Sequence, residues 1–323
     1  MSRRNELERL LSHTLERTDL SIGPKYEGKV RDTYSLSGQR RLLVVTDRIS
    51  AFDRVLGTIP AKGQVLNRLA YWWFEETKGV VPNHVIELVD PNALLAIECV
   101  PFPVEFVVRG YATGTTSTSL WTHYAAGARS FAGHILPEGL RKHQRLEAPL
   151  VTPTTKAEKG AHDETTSRDE LIARGVITSA DYDRIATMAL ALFARGQEIA
   201  AKRGLLLVDT KYEFGRSADG LIRVMDEIHT PDSSRYWMAD SYEERFLGGL
   251  DPVSLDKDFV RRALIAQGYA GEGSPPPLSD ELRLGAAEKY IELFERMTAT
   301  TFVIDERSPI ERFAALERTL ATR

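Results

Sequence analysis

The chain has 323 residues, of which 42% are hydrophobic and 27% are charged, with a formal net charge of -4. This composition is typical of a soluble globular protein, and at about 150 residues per domain the length favours two domains. The acidic balance argues against a dedicated nucleic-acid-binding protein, which usually carries a basic face. The single cysteine, Cys99, excludes an intrachain disulfide, and its apolar neighbours favour a buried, unreactive thiol.

No apolar run reaches the ~18 residues that a membrane-spanning helix needs. The first twenty residues begin with basic side chains but lack the apolar segment of a signal peptide. We therefore expect a cytoplasmic protein with no membrane partner and no nucleic-acid partner. The sequence leaves open whether it is a monomer or a homodimer.

The first part of the chain is rich in strand and turn signals. Leucines at helical spacing predict a helix over 2–17, and the segments 25–36 and 40–47 around a Ser-Gly turn predict a β-hairpin. A short helix is predicted over 70–77, "AYWWFEET". A strand is predicted over 101–110, entered through two prolines that favour an edge position for its start.

The second part mixes helices with one further hairpin. Ser167 and Glu170 form a capping-box pattern, and a helix is predicted from about 179 to 203. A linker at 271–277, "GEGSPPP", precedes a C-terminal helix. Strands first, then helices mixed with a hairpin, predict an α+β fold. The buried face of the C-terminal helix is predicted to carry Leu282, Ala286, Tyr290, Leu293, Phe294 and Met297.

Charged residues interrupt two apolar runs between residues 205 and 227. Because strand side chains alternate between faces, Asp209, Lys211 and Glu213 share one face of "LLLVDTKYEFG", together with the leucines at 205 and 207. After a turn, the returning strand brings Asp226 level with this acidic stretch. The opposite, core face is predicted to carry Leu206, Val208, Thr210, Tyr212 and Phe214.

Clustered carboxylates repel one another unless protonation or a cation relieves the repulsion. A solvated polar face is the simpler interpretation of a generic hairpin, but the apolar flanks of this one indicate partial burial. Mg²⁺ uses one or two carboxylates when it also holds nucleotide phosphates. We therefore interpret Glu213 and Asp226 as metal ligands, with Lys211 placed for a phosphate or a substrate carboxylate.

Further segments place polar side chains in loops at strand ends, where ligand sites tend to lie. "KYEGKVRD" sets Gly28 among Lys25, Lys29 and Arg31, which is a weak phosphate-cradle signal because the Walker spacing is missing. A charged hairpin edge explains this segment equally simply. At 107–119, Arg109 ends a strand before a hydroxyl-rich loop and is suited to a bidentate pair with phosphate or carboxylate.

Two more loops complete the set of candidate segments. "TPTTKAEKGAHDE" carries Lys156, His162 and Asp163, without the ligand pattern of a structural zinc site. "TPDSSR" carries Asp232 and Arg235 close after the acidic hairpin. A surface histidine and a helix-capping turn are the simpler interpretations of these two loops.

Taken together, these segments closely resemble the phosphoribosylaminoimidazole-succinocarboxamide synthase (SAICAR synthetase) family. "LVDTKYEFG" with "DEIHTPDSSR" looks like one family signature, and "PFPVEFVVRGYATG" looks like another. "GKVRD", "VTDRISAFD", "IPAKGQVLN" and "PTTKAEKGAHDE" are also similar to family segments, in family order, and the resemblance runs from about residue 23 to 240. It departs after "ATG", where the family usually has Ser and this chain has Thr115.

The resemblance implies a carbon–nitrogen ligase of purine biosynthesis. It would join the carboxylate of carboxyaminoimidazole ribotide (CAIR) to the amine of L-aspartate through an acyl phosphate, with ATP as co-substrate and Mg²⁺ as cofactor. It also implies a two-lobed α+β fold, reminiscent of ATP-grasp enzymes and kinases. The nucleotide lobe would span 1–110 and the larger lobe 111–323, with C-terminal helices over 272–323.

The same resemblance implies roles for individual residues. The ATP phosphates would be held by Lys29 and Gly28, with Lys25 and Arg31 as further contacts. Magnesium would be held by Glu213 and Asp226. The catalytic residues would be Lys211, which neutralises charge near the transferred phosphoryl group, and Asp209 beside it. The substrates would be held by Arg109, Thr115, Ser117, Asp232, Arg235, Lys156, His162 and Asp163.

Two other functions are compatible with such a site. A small-molecule kinase would handle Mg-ATP in a similar cleft but would not need the amine. A nucleotide-sensing module would bind without turnover and would tolerate Glu213→Gln.

Overall fold

The computed structural model describes residues 2–52, 54–155, 164–255, 257–269 and 271–321. The predicted α+β fold is confirmed: two large antiparallel sheets are combined with helices, several of them at the C-terminus. Among the described residues, no helix is both long enough and apolar enough to cross a bilayer.

Fifteen strands and nine helices are formed within the described ranges. The strands are β1 (Lys25–Glu27), β2 (Arg31–Leu36), β3 (Arg40–Val45), β4 (Arg48–Ala51), β5 (Arg54–Thr58), β6 (Val85–Asp90), β7 (Ala93–Ile97), β8 (Cys99–Tyr111), β9 (Ser130–Phe131), β10 (His134–Ile135), β11 (Arg145–Thr155), β12 (Glu164–Thr165), β13 (Leu205–Ser217), β14 (Ile222–Met225) and β15 (Ser234–Met238). The helices are α1 (Arg3–Leu10), α2 (Lys62–Thr77), α3 (Leu120–Ala125), α4 (Arg168–Ala173), α5 (Ser179–Lys202), α6 (Ala239–Leu247), α7 (Asp258–Ala266), α8 (Asp280–Thr298) and α9 (Pro309–Ala321).

The smaller sheet has the order β1-β2-β3-β7-β6 and contains the predicted hairpin. Its strands β2 and β3 pair from Arg31 opposite Val45 to Leu36 opposite Arg40. The apolar face of this sheet packs against α9, where Phe313 is buried. Helix α9 therefore covers one side of the smaller sheet and leaves the β1–β2 turn at the edge of that sheet.

The larger sheet has the order β12-β11-β8-β13-β14, and β15 also pairs with β13. Its two long central strands, β8 and β13, lie side by side, with Asp209 opposite Arg109 and Glu213 opposite Glu105. Phe106 and Tyr212 on one face of these strands pack against α5 in the main core. The other face of the same strands is polar and carries the candidate site.

A β-bulge in β13 corrects one part of the face prediction. Asp209, Lys211 and Glu213 do alternate with the core residues Tyr212 and Phe214, but the register with β15 shifts between residues 207 and 209. The shift reverses the alternation upstream of Asp209. The leucines at 205 and 207 are therefore in the main core, whereas residues 206 and 208 pack around Trp237.

Two helix limits also differ from the sequence prediction. Helix α1 ends at Leu10 because the chain then turns so that the Leu15 amide can donate to Asp47 Oδ2 at 2.7 Å. Helix α2 begins at Lys62, eight residues before the predicted start. Its Gly63 lies so close to other backbone that a Cβ would be 2.4 Å from the Val45 carbonyl oxygen, so this glycine serves close packing inside a helix.

The remaining helix predictions are confirmed. Ser167 and Glu170 form the predicted capping box of α4. Helix α5 spans Ser179–Lys202 and is followed by Gly204 with a φ of +69°. The apolar residues predicted for the C-terminal helix are buried on α8.

The chain passes from the smaller sheet to the larger one between Ile97 and Cys99. Strand β8 belongs entirely to the larger sheet, so a lobe boundary near residue 98 fits the sheets better than the one at 110 proposed from the sequence. The lobes are also connected by packing of α1 and α2 against α8. The division into a nucleotide lobe and a substrate lobe stays a proposal.

Candidate active site

One face of β8 and β13, which we call the polar face, is defined by Glu105, Arg109, Asp209, Lys211 and Glu213. At its centre the Lys211 ammonium lies 2.7 Å from Glu105 Oε1 and 2.8 Å from Glu213 Oε1. Burial alone would lower the pKa of Lys211, but the two carboxylates outweigh it and raise this pKa above its ordinary value. Lys211 is therefore a fixed cation at neutral pH.

A second ion-pair group joins the smaller sheet to the larger one. Arg31, at the start of β2, pairs with Asp226 and places its Nη2 2.6 Å from Glu227 Oε1. Asp226 directly follows β14, whose last residue, Met225, lies opposite Glu213. Its φ of +72° turns the chain sharply at this point. Asp226 thus lies one residue beyond the strand position that faces Glu213.

These carboxylates fit a magnesium ion that is shared with a nucleotide. In the four ion pairs just described, Lys211 meets Glu105 and Glu213, and Arg31 meets Asp226 and Glu227. In the part of the chain that the structure describes, no three His, Cys, Asp or Glu side chains gather to form an all-protein metal site. Mg²⁺ bound with nucleotide needs only one or two protein carboxylates, because phosphate and water oxygens complete its coordination. Glu213 and Asp226 have the chemistry of that donor set.

The opposite end of the polar face is cationic. Arg235 Nη1 lies 2.7 Å from Asp209 Oδ2, and Arg109 Nη1 lies 3.9 Å from the same oxygen. Arg109 also donates from Nε to Thr152 Oγ1 at 2.9 Å, which fixes the plane of the guanidinium. Burial lowers the pKa of Arg109 to about 10, so it remains charged at neutral pH. Two guanidinium groups thus converge on one carboxylate.

The hydroxyl-rich loop after β8 lies against this cationic end. Gly114 has a φ of +108°, and a Cβ there would be 2.3 Å from Ser119 Cβ and 3.4 Å from Arg235 Nη1. Ser119 is buried and its hydroxyl is bonded within the loop, to the Thr116 carbonyl at 2.7 Å and to a neighbouring threonine hydroxyl. Thr115 and Ser117 are exposed, so their hydroxyls are the loop's accessible ones.

The β1–β2 turn contains the predicted phosphate cradle. The Gly28 amide donates to the Arg31 carbonyl at 2.8 Å, and Arg48 binds the carbonyls of Gly28 and Lys29 at 3.0 Å each. Lys29 is exposed at the tip. Lys25 is held differently, 3.1 Å from Glu27 and 3.2 Å from the buried Asp32. The structure therefore brings Gly28, Lys29 and Arg31 together and ties Lys25 to the hairpin's own carboxylates.

Asp232 lies in a buried cluster that the sequence did not reveal. Lys62, completely buried at the start of α2, places Nζ 2.8 Å from Asp232 Oδ2, and Tyr290 donates to Oδ1 at 2.9 Å. Burial alone would raise the pKa of Asp232, but Lys62, Lys257 and Tyr290 outweigh it and hold this pKa well below its usual range. This cluster joins the loop before β15 to α2 and α8.

Sequence reasoning missed two further charged residues of the site, Glu105 and Lys62. Glu105 could have been found, because alternation along "VEFVVRG" places it on the same face as Arg109. Lys62 carried no such signal, since its partner comes from a distant segment. Glu227 belongs to the acidic stretch noted in the sequence, but its partner Arg31 could not be identified from it. The predicted residues Lys156, His162 and Asp163 lie outside the described residues, between Thr155 of β11 and Glu164 of β12, which pair with each other.

Comparison with known proteins assigns the family. The sequence model of the SAICAR synthetase family matches residues 24–276. The chain belongs to the SAICAR synthetase family. Both the family and the enzyme class predicted from the motifs, a carbon–nitrogen ligase, are confirmed.

Individual relatives agree with this assignment. A phosphoribosylaminoimidazole-succinocarboxamide synthase of Legionella pneumophila (strain Lens) is 51% identical over 293 residues, which cover 90% of this chain and 93% of the relative. The chloroplastic enzyme of Arabidopsis thaliana is 47% identical over 307 residues, 93% of this chain and 74% of the relative. Among solved structures, the SAICAR synthase of Saccharomyces cerevisiae complexed with SAICAR has a TM-score of 0.76 at 29% identity, covering 90% of this chain and 100% of that one.

Proposed function

We propose that the polar face and its two flanking loops are the site where this ligase joins the carboxylate of CAIR to the amine of L-aspartate. ATP is cleaved to ADP and phosphate in the same reaction. The assignment of substrates rests on the family, and the assignment of residues rests on the chemistry of the site.

The observation that carries the residue assignment is the separation of charge along β13. Arg109 and Arg235 converge at Asp209, whereas the acidic group begins at Glu213. Four residues of strand separate the two, about 13 Å at 3.3 Å per residue. A ribotide phosphate requires cations, and a metal-bound nucleotide requires carboxylates. The face therefore suits two anionic substrates whose reacting groups meet between its ends, beside Lys211.

The cationic end would hold CAIR. Arg109 and Arg235 present planar guanidinium groups, which bind phosphate or carboxylate through paired hydrogen bonds. Asp209 orients both groups through its ion pairs. The exposed hydroxyls of Thr115 and Ser117 would add hydrogen bonds from the adjoining loop. Asp232, held by Lys62, would support the loop that leads to Arg235. Substrate roles for Lys156, His162 and Asp163 rest on the family resemblance alone.

The acidic end would hold the nucleotide. The exposed Lys29 would contact the ATP phosphates from the β1–β2 turn, with Arg31 alongside. Gly28, whose amide donates to the Arg31 carbonyl, would shape the turn that presents them. Lys25 would act indirectly, by holding the turn through Asp32. Glu213 and Asp226 would hold Mg²⁺. When bound, Mg²⁺ would neutralise the charge that develops on the transferred phosphoryl group.

The reaction then takes two steps. A carboxylate oxygen of CAIR accepts the γ-phosphoryl group and ADP leaves, which gives an acyl phosphate. The amine of L-aspartate attacks the acyl carbon, phosphate departs, and the nitrogen loses a proton. Because phosphoryl transfer depends mainly on positioning and charge neutralisation, a fixed cation between the substrates is useful. Lys211 supplies that cation, since its carboxylate neighbours keep it protonated and unsuited to act as a base.

The test is a product assay with the purified protein, CAIR, ATP and Mg²⁺, with and without L-aspartate. We expect ADP and the amide product in equal amounts, and only when aspartate is supplied. ADP release that does not need aspartate and gives no amide would identify a small-molecule kinase. Nucleotide binding without any turnover would identify a sensing module.

A further inference from the structure

Three side chains form a hydrogen-bonded chain beneath the loop that follows β8. Thr113 Oγ1 lies 2.9 Å from His143 Nδ1, and His143 Nε2 lies 2.8 Å from Asp251 Oδ1. Thr113 is 4% exposed and His143 is 8% exposed. Both are therefore withdrawn from solvent, and Asp251 reaches His143 from the partly exposed segment after α6.

The carboxylate fixes the direction of this chain of bonds. Lys142 and His143 lower the pKa of Asp251 to about 2, so Asp251 is ionised and can only accept. Nε2 of His143 therefore carries a hydrogen. Because burial lowers the pKa of His143, the ring is neutral at pH 7 and Nδ1 is an acceptor. Thr113 must then donate its hydroxyl hydrogen to Nδ1. Each of the three groups has one defined role.

The backbone of His143 is held as tightly as its ring. Its amide donates to the Ala112 carbonyl at 2.7 Å, and its own carbonyl accepts from the Tyr242 hydroxyl at 2.8 Å. The ring also meets Trp237 edge to face, with the centroids 5.3 Å apart. His143 thus contacts both residues that open the loop, Ala112 through the main chain and Thr113 through the side chain.

The residue that follows Thr113 is Gly114, which is packed between Ser119 and the Arg235 guanidinium. Small displacements of the Thr113 backbone would therefore move Gly114 against Arg235. The end of the loop next to α3 is held by bonds such as the one from Arg109 Nη2 to the Thr118 carbonyl at 3.0 Å. The end of the loop next to β8 is held by the contacts of Thr113.

We propose that His143, oriented by Asp251, is a positioning residue for the CAIR end of the site: it holds Thr113 so that Gly114 and Arg235 keep their relative placement. This inference rests on the proposed function of Arg109 and Arg235. A Thr-His-Asp chain is also compatible with a nucleophilic hydroxyl. Thr113, however, is buried, and ATP already supplies the activation that a covalent intermediate would provide.

The decisive variant is Thr113→Val, which keeps the shape of the side chain and removes the hydroxyl. We expect the KM for CAIR to rise about three- to tenfold, the range that corresponds to one neutral hydrogen bond. The kcat and the KM values for ATP and L-aspartate should stay within about twofold, because the nucleotide end is untouched. Thr113→Ser, which restores the hydroxyl, should return the KM for CAIR to near the wild-type value.

Coupling supplies a readout that a merely structural role would not give. In a double-mutant cycle of Thr113→Val and His143→Ala, the double variant should have no higher KM for CAIR than the more affected single variant. Both changes break the same Thr113–His143 hydrogen bond. Asp251→Asn, at a partly exposed position that tolerates change, should raise the KM for CAIR in the same direction by a smaller factor. Lys142→Ala, which removes the other partner of Asp251, is the matched control and should behave like wild type.

An unchanged KM for CAIR in both Thr113→Val and Asp251→Asn would overturn the inference. So would equal rises in all three KM values that Thr113→Ser does not repair, since these would indicate a general loss of structure. A wild-type protein that shows no aspartate-dependent ADP release would instead overturn the proposed function, and with it this inference.

Discussion

Two short segments of this protein, "KYEGKVRD" and "VDTKYEFG", look alike in sequence but have opposite surroundings. In the first, Asp32 is completely buried and accepts from the Thr18 amide at 2.6 Å, with Arg48 at 2.9 Å and Lys25 at 3.2 Å. Lys25 also pairs with Glu27 at 3.1 Å. In the second, Lys211 lies between Glu105 and Glu213 on the polar face, and its side chain is 30% exposed.

The comparison teaches that solvent access separates a structural cluster from a functional one. A completely buried carboxylate held by its partners joins two segments together and has no capacity left for a ligand. Carboxylates on a face that solvent reaches can also take up a metal ion together with its nucleotide. The first cluster therefore stabilises the β1–β2 hairpin, and the second is poised for metal and phosphate.

Removing the charge of the structural cluster should have the largest effect on stability. In Asp32→Asn, the cations at 25 and 48 lose a buried partner, and we expect the free energy of unfolding to fall by about 3–5 kcal/mol. Chemical denaturation measures the loss. Glu213→Gln is the matched change in the other cluster and should cost less, because Lys211 keeps Glu105 as a charged partner. Equal losses in both variants would remove the distinction between the clusters.

Removing a charge from the functional cluster should act on catalysis. We expect Asp226→Asn to reduce kcat by on the order of 10²-fold or more, because it removes metal support for charge in the transition state. Steady-state kinetics at saturating CAIR, ATP and aspartate provide the measurement. The melting temperature serves as the control and should change little. A loss of only a few-fold would speak against metal ligation at this position.

The two lysines of the β1–β2 hairpin offer a sharper test of the same contrast. Lys29→Ala should raise the KM for ATP about tenfold, as expected when one charge-assisted phosphate contact is lost. Lys25→Ala should lower stability by about 1 kcal/mol through loss of the Asp32 contact and leave the KM for ATP within about twofold. Matching KM values for ATP in the two variants would contradict the different roles assigned to these lysines.

Acid should weaken the fold through two buried histidines. Burial lowers the pKa of His84, before β6, and of His229, beneath the loop leading to β15, to about 3. Since the folded-state pKa lies below the ordinary value of about 6.5, each histidine contributes stability above pH 6.5 that is lost as the pH falls towards 3. Between pH 7.5 and pH 5.5 we expect each to account for about 1.4 kcal/mol of lost stability.

His84→Phe isolates one of these contributions. The variant should lose about 1.4 kcal/mol less than wild type between pH 7.5 and pH 5.5, as measured by denaturant unfolding at both pH values. The same loss in both proteins would show that His84 titrates normally in the folded state.

Much of the fold could be predicted from local sequence signals. The β2–β3 hairpin, the capping box of α4 and the buried face of α8 follow from periodicity and from side chains that bind their own backbone. The bulge in β13 and the early start of α2 could not be predicted, because they depend on tertiary contacts. The bulge accommodates the pairing of β13 with β15, and Gly63 allows α2 to lie close to the β3 backbone.

The candidate site divides in the same way. Alternation along one strand was enough to group Asp209, Lys211 and Glu213 on a single face. Their partners from other elements, such as Arg31 for Asp226 and Lys62 for Asp232, are separated by more than 150 residues of sequence and left no local pattern. Sequence therefore identified individual charged residues of the site but not the pairs that they form across elements.

The central claim is that Glu213 and Asp226 hold a divalent ion together with nucleotide. The most direct measurement is Mn²⁺ binding, followed by electron paramagnetic resonance, in the presence of a non-hydrolysable ATP analogue. Wild type and Asp32→Asn, if folded under the assay conditions, should bind the ion with similar affinity, whereas Glu213→Gln and Asp226→Asn should bind it at least tenfold more weakly. Unchanged affinity in both of the latter variants would contradict the claim.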